Sequence, residues 1–450
     1  MKIVIYNIIF IVLTLAITPV VKAQGTETLL IVTSFPEWMF DRFKTEFEAR
    51  YPQINIHVRN RKTTAAISFI QERQSDPVDV IWASAPDAFE VLKSSGHLYQ
   101  LPKPVNKNNR VGSYPLHDPD GFYRGFAISG YGIMWNKLYL SEHNLPVPAN
   151  WNDLTDPIYQ KHLGISAPSR SGTTHLIVET ILQAKGWEAG WELLMNLGGN
   201  LATVTARSFG VLDGVKKGRF GIGLVVDFFG LTAQADNSNI AFAYPDQTAF
   251  LPANIAIAKR SLNPTSGLAF IEFILSSAGQ RILFESEISR LPVQEKMYKY
   301  APQGFPNPFG KELLKKGLNF DINLSRQRYH LVNTLFDIMI TFRVKRLNQV
   351  WKKIYQAESL LNKIKNESLS KKLEEARRLI GTIPVSREEM FQPKFTSIFQ
   401  QHKAGIALPV KQVNLEISWK RLAQNNLKNS ETLVNTILTQ LHDDSAETLE

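Results

Sequence analysis

The chain contains no cysteine. That absence excludes disulfides, thiolate metal sites and cysteine nucleophiles together, and it leaves nothing for the acylated-cysteine tether that holds many exported proteins at a membrane. Histidine is scarce, with 9 residues, and His57, His97, His117 and His175 show none of the paired spacing that a zinc site uses. No Walker motif and no dinucleotide fingerprint occurs. The segment nearest to a nucleophile elbow, Ser169-Arg170-Ser171-Gly172-Thr173, has neither flanking glycine in place. His175, at a helix start, reads as a packed or solvent-facing residue rather than a base, so no catalytic machinery is visible.

Long apolar runs are also missing after the first residues. Lys2 is followed by an apolar stretch from Ile3 to about Ile17, then Thr18, Pro19 and a small-residue site ending Val21-Lys22-Ala23, the three-part layout of a secretory signal peptide over 1–23. The mature chain is expected to start near Gln24. A membrane anchor is the alternative, but a span needs about 20 apolar residues, and Asn7 and Pro19 interrupt this one. The formal charge of +10 would suggest nucleic acid for a cytoplasmic chain. After export it points to an anionic ligand or a membrane-surface partner, with no nucleic acid.

What is present is a recurring step from strand to helix. Short apolar runs stop at a small or polar residue where a helical pattern begins: Leu29 to Thr33 then Ser34, Asp79 to Ala83 then Ser84, Gly164 to Ala167 then Ser169, Leu201 to Thr205 then Ser208, and Ile222 to Val226 then Asp227. A helix N-terminus carries free N–H groups and the positive end of the dipole, so several around one cleft would hold an anion. Strand-helix-strand units need right-handed crossovers and gather these loops on one sheet edge. The fold class is α/β. Trp82 and Trp135, inside apolar strands, read as core.

From about Asn323 the apolar residues recur at helical spacing instead, at Leu331, Leu335, Ile338, Met339, Phe342, Leu347, Val350, Trp351 and Ile354. The chain therefore divides into an α/β body and a helical extension, 301–450. The extension carries a basic run, Arg343 to Arg346 and Lys352-Lys353. One account packs Phe336, Phe342 and Trp351 on the body; the other makes the extension a docking surface for a membrane protein.

Five segments carry a family resemblance: Asp79-Val-Ile-Trp-Ala-Ser-Ala-Pro-Asp87, Gly130-Tyr-Gly-Ile-Met-Trp-Asn136, Trp151-Asn-Asp-Leu-Thr-Asp-Pro-Ile-Tyr159, Ser171-Gly-Thr173 and Arg290-Leu-Pro-Val293. In this order they resemble ABC-transporter solute-binding proteins, more closely the ferric-ion and sugar-phosphate binding cluster, and the long extension is similar to that of phosphoglycerate transport regulatory proteins. The resemblance implies a two-lobed periplasmic binding protein fold of the two-crossover kind (type II). Lobe one would be 24–125 plus 245–300 and lobe two 126–244, with crossovers near Gly125-Phe126 and Ala243-Tyr244. It implies no cofactor. It also implies a small anionic solute such as a sugar phosphate or phosphoglycerate, and either an ABC permease or a membrane sensor kinase as partner.

In iron-binding members a tyrosine pair supplies phenolates where this chain has Phe228-Phe229; phenylalanine has no oxygen to offer. Phosphate suits the remaining residues. Ser169-Arg170-Ser171-Gly172-Thr173-Thr174 follows a strand and opens a helix, with Gly172 allowing close approach. Arg170 and Arg207 offer planar bidentate donors, or else are solvated or paired with acids. The resemblance places Ser34, Ser84, Thr173 and Ser208 at the cleft, where each is a ligand contact or a plain helix cap. It makes Asp227 an acceptor of ligand hydroxyls, the alternative being a cap.

Overall fold

The computed structural model describes residues 26–72, 77–102, 109–364, 366–399 and 406–447; the expected signal peptide, 1–23, lies outside them. Its strands in chain order are β1 (Glu27–Thr33), β2 (Ile54–Asn60), β3 (Val80–Ala83), β4 (Arg110–Val111), β5 (Tyr114–Pro115), β6 (Arg124–Asn136), β7 (Leu163–Ser166), β8 (Leu201–Thr205), β9 (Ile222–Val226), β10 (Ile240–Ala243), β11 (Phe250–Ile257) and β12 (Leu291–Pro292). β4 and β5 form a small separate hairpin. The others make one path, β2-β1-β3-β11-β6-β9-β7-β8, with β10 and β12 also paired to β6.

β6 explains how one path serves two lobes. Its 13 residues extend about 40 Å at ~3.3 Å per residue, and all but its two ends are buried. Arg124 to Gly130 pair with β11, and Tyr131 to Trp135 pair with β9. The change of partner falls between Gly130 and Tyr131, beyond the Gly125-Phe126 expected from sequence. Gly130 is required there: a Cβ would stand 2.5 Å from Tyr244 Cε1 and 2.7 Å from Phe250 Cε1. The return runs from the end of β10 at Ala243 to the start of β11 at Phe250.

Parallel pairing of β1 with β2 and β3, and of β7 with β8 and β9, requires helical crossovers that cover both faces. Hence β3 and β9 are fully buried apolar runs. The core of lobe one is aromatic, with Trp82 at 5.3 Å from each of the rings of Phe35, Phe43 and Phe126. The next helix, Glu37–Arg50, buries Met39, Phe40, Phe43 and Phe47.

From Lys311 onward the chain is helical among the described residues. The extension is rooted at the return crossover: Thr248 N donates to Lys316 O (2.9 Å) and Leu318 N to Thr248 O (2.7 Å). Helix Val344–Ile364 lies on Trp187–Asn200 of lobe two, where Asn348 Nδ2 donates to Gly199 O at 2.7 Å. Phe336 and Trp351 are buried as expected, but Phe342 is 65% exposed, because it sits in the short turn between two helices rather than on a packed face. Much of the basic run is used internally. Arg346 and Lys353 both bind Glu431 of the long helix Val410–Glu447, and Arg343 donates to Lys420 O.

Candidate ligand-binding cleft

The loops after β1, β2 and β3 face those after β7, β8 and β9 across the gap between the lobes. Seven of the nine sequence-predicted residues line one cavity there: Ser34, Ser84, Arg170, Ser171, Thr173, Arg207 and Ser208. Gly172 stands beside it as the point where the lobes meet. A Cβ at Gly172 would come within 2.6 Å of Ala85 Cβ and 3.0 Å of Thr63 Cγ2, and both neighbours belong to lobe one. The cavity holds about 20 Å³, the order of space that one water needs, so the lobes are closed on each other.

One helix start at the cleft carries a side-chain cap, and three do not. Ser171 Oγ accepts from Thr174 N at 3.2 Å, and Ser171 O accepts from His175 N, which leaves the N–H groups of Gly172 and Thr173 without an intrahelical partner. Helices Glu37–Arg50, Pro86–Ser94 and Phe209–Lys216 have no side-chain cap hydrogen bond. The hydroxyls of Ser34, Ser84 and Ser208 are therefore not spent on capping.

The electrostatics have one sign. Arg170, Arg207 and Lys62 line the cavity, and no carboxylate does. The Arg170 side chain forms no hydrogen bond or ion pair among the described residues. Arg207 crosses the gap to lobe one, donating to Asn60 Oδ1 at 3.1 Å and to Ser34 O at 3.5 Å, with its guanidinium 4.8 Å over the Phe209 ring. Burial, then Arg170 and Arg207, hold the Lys62 ammonium below its ordinary range. Three cations that repel one another with no acid on the wall make a site that an anion would relax. One acid reaches Arg170 from outside the wall: Asp337 of the helix Ile322–Met339, whose carboxyl burial pushes up while Ser169, Thr341 and Arg170 pull it down.

Asp227 departs from expectation. It is 1% exposed and absent from the cavity wall. Its carboxylate accepts from Gly130 N at 2.6 Å, Phe228 N at 2.8 Å and Tyr244 Oη at 3.1 Å, so most of its acceptor capacity is spent inside the protein. It is a structural anchor for the partner change in β6. Behind it lies Arg290, fully buried, donating to Ser129 Oγ at 2.8 Å and stacked 4.3 Å over Phe228 and 4.8 Å over Phe35. Burial lowers the Arg290 pKa to about 10, against the attraction of Asp227. Phe228 and Phe229 do reach the cavity, so the wall is apolar where phenolate ligands would stand. Among the described residues no group of His, Asp or Glu could hold a metal ion.

Lys62, Thr63 and Phe35 were missed from sequence. The signal for two of them was present, since Arg59-Asn60-Arg61-Lys62-Thr63-Thr64 is a strand end that opens a helix, as at the other five sites.

Against known proteins, residues 75–312 match the family described as bacterial extracellular solute-binding protein. The chain is 32% identical over 371 residues to the phosphoglycerate transport regulatory protein PgtC of Salmonella typhimurium, covering 81% of this chain and 87% of that protein. Among solved structures it is similar to the periplasmic binding protein AfuA of Actinobacillus pleuropneumoniae with exogenous fructose 6-phosphate bound, at a TM-score of 0.59 and 19% identity, over 73% of this chain and 98% of that one. It is also similar to iron-bound HitA of Pseudomonas aeruginosa, at a TM-score of 0.54 and 20% identity, over 65% and 92%. These likenesses carry the fold, a type II periplasmic binding protein.

Proposed function

The chain belongs to the bacterial extracellular solute-binding protein family, and on that premise we propose that it captures a small phosphorylated metabolite between its lobes for an ABC importer. The observation that supports this most is the convergence of Lys62, Arg170 and Arg207 on a closed cavity with no acid in its wall. Hydroxyls of Ser34, Ser84, Thr173 and Ser208 and the N–H groups of Gly172 and Thr173 would surround the phosphoryl oxygens, as helix N-termini do. Capture is reversible binding rather than catalysis. The cavity as it stands has room for about one water, so a ligand enters with the lobes parted, and they then close around it less far than here. A ferric cargo is disfavoured by Phe228 and Phe229.

The protein would act in the periplasm after removal of 1–23. No helix among the described residues is long and apolar enough to cross a membrane. A second reading, in which the liganded form signals to a membrane sensor kinase, draws on the helical extension and on the regulatory name of the 32% identical relative.

Calorimetric titration of the wild type and Arg170→Ala with fructose 6-phosphate, 3-phosphoglycerate and fructose tests the proposal. Binding of a phosphorylated compound only, weakened about tenfold or more by Arg170→Ala, is expected. Equal binding of fructose, or an unchanged variant, overturns it.

A further inference from the structure

The helix Ile322–Met339 does not simply pack on the body; it crosses both lobes directly behind the cavity. Asp87, three residues after Ser84, belongs to lobe one, and His175, two residues after Thr173, belongs to lobe two. His175 Nε2 lies 3.2 Å from Asp87 Oδ2. Ser325 Oγ, from the extension, sits 3.1 Å from the same Nε2 and 3.5 Å from the same carboxylate. Asn333 Oδ1 is 2.8 Å from His175 Nδ1. One turn along, Arg328 donates two bonds to Glu179 of lobe two, at 2.9 and 2.8 Å. All six side chains are essentially without solvent.

We propose that this helix is a latch on the closed cleft, so that ligand capture and full docking of the extension are one coupled event. The inference rests on the reading of the cleft as a hinged binding site. Arg328–Glu179 and the packing of Val344–Ile364 fix the extension to lobe two. Its buried polar contact with lobe one is Asp87, shared between Ser325 and His175, beside an exposed contact of Asn319 with Ser113. Parting the lobes separates Asp87 from His175 and exposes or orphans buried polar groups, which is costly. Docking of the helix thus favours the closed state, and ligand, which also favours closure, strengthens docking by the same factor. Leu318, bonded to Thr248 at the return crossover, lies just ahead of the helix start at Ile322 and so ties that end to the hinge.

The absence of cysteine makes the test clean. Spin labels at Asp41→Cys on lobe one and Ala189→Cys on lobe two report the inter-lobe distance, measured on the full chain with and without 3-phosphoglycerate or fructose 6-phosphate. In Ser325→Ala/Asn333→Ala the ligand-free distance distribution should shift to longer values, and Kd for whichever probe binds the wild type should rise about tenfold or more. Asp87→Asn, which keeps the side-chain shape, provides a second variant should the first fold poorly. A lowered melting temperature with unchanged distances and Kd would make the network plain packing and overturn the latch. Failure of both probes to bind the wild type would overturn the phosphorylated-ligand reading instead; the ligand-free distances still decide the latch.

Discussion

Removing the Asp227 carboxylate should cost stability and leave ligand choice alone. In Asp227→Ala the N–H groups of Gly130 and Phe228 and the hydroxyl of Tyr244 lose their acceptor, which they now hold at 2.6 to 3.1 Å. Arg290, fully buried behind it, loses the electrostatic attraction of this group. Orphaned buried donors cost about 1–3 kcal/mol each, and three of them are left here. Since the three share one site, about 3–5 kcal/mol is the expected total. With an m-value of ~3 kcal/mol/M the urea midpoint falls by about 1–1.7 M. Urea unfolding followed by tryptophan fluorescence reads this, beside a titration with the phosphorylated ligand at low urea. A midpoint within 0.2 M of wild type, together with an affinity lost by about tenfold or more, would refute the reasoning and return Asp227 to the ligand.

Three further outcomes follow from the geometry. Burial pushes the Asp227 carboxyl up to about 7 and that of Asp87 up to about 6; the folded chain then holds these protons more tightly than the unfolded one, so their stabilisation is full below about pH 4 and is lost as pH rises through 6 to 7, at most ~1.4 kcal/mol per unit per proton. Asp227→Asn should flatten that slope in urea unfolding measured from pH 4 to 8; an unaltered slope contradicts it. Gly172→Ala puts a methyl 2.6 Å from Ala85 Cβ, so calorimetry should show affinity lost while the melting temperature of the ligand-free protein stays within a few degrees; unchanged affinity would mean that the lobes meet elsewhere. Lys62→Met removes one of three repelling cations, so thermal unfolding of the ligand-free protein should not fall, whereas phosphate-ester binding should weaken and lose part of its salt dependence.

The strand-to-helix steps were legible because short, mostly apolar runs stop at a small or polar residue before each helix, and Ser34, Ser84, Ser169 and Ser208 mark those stops. Their convergence follows from topology. The role of Asp227 was not legible: its position at a strand end was right, but the direction of its side chain is set by Gly130 and Tyr244, 97 and 17 residues away. Lys62 stands in a segment that was legible as a strand end opening a helix, but its place on the cleft shows only when Arg170 and Arg207 are brought beside it. In the extension the apolar period was clear, but nothing in the sequence singled out Ser325, Arg328 and Asn333 for burial. They are buried because Asp87, His175 and Glu179 supply matching polar groups on the lobes. Phe342, read as part of the apolar stripe, falls in a turn and faces solvent.

The central claim, that the cleft takes a phosphorylated anion, is tested most directly by a thermal-shift panel on the mature protein after unfolding and refolding to remove bound solute. Sugar phosphates, phosphoglycerates, inorganic phosphate, dicarboxylates, plain sugars and ferric citrate are compared. A ligand at ~100 times its Kd adds about 2.7 kcal/mol to the native state. A rise in melting temperature confined to phosphorylated compounds is the predicted result, and a rise with ferric citrate or plain sugars alone would contradict the account.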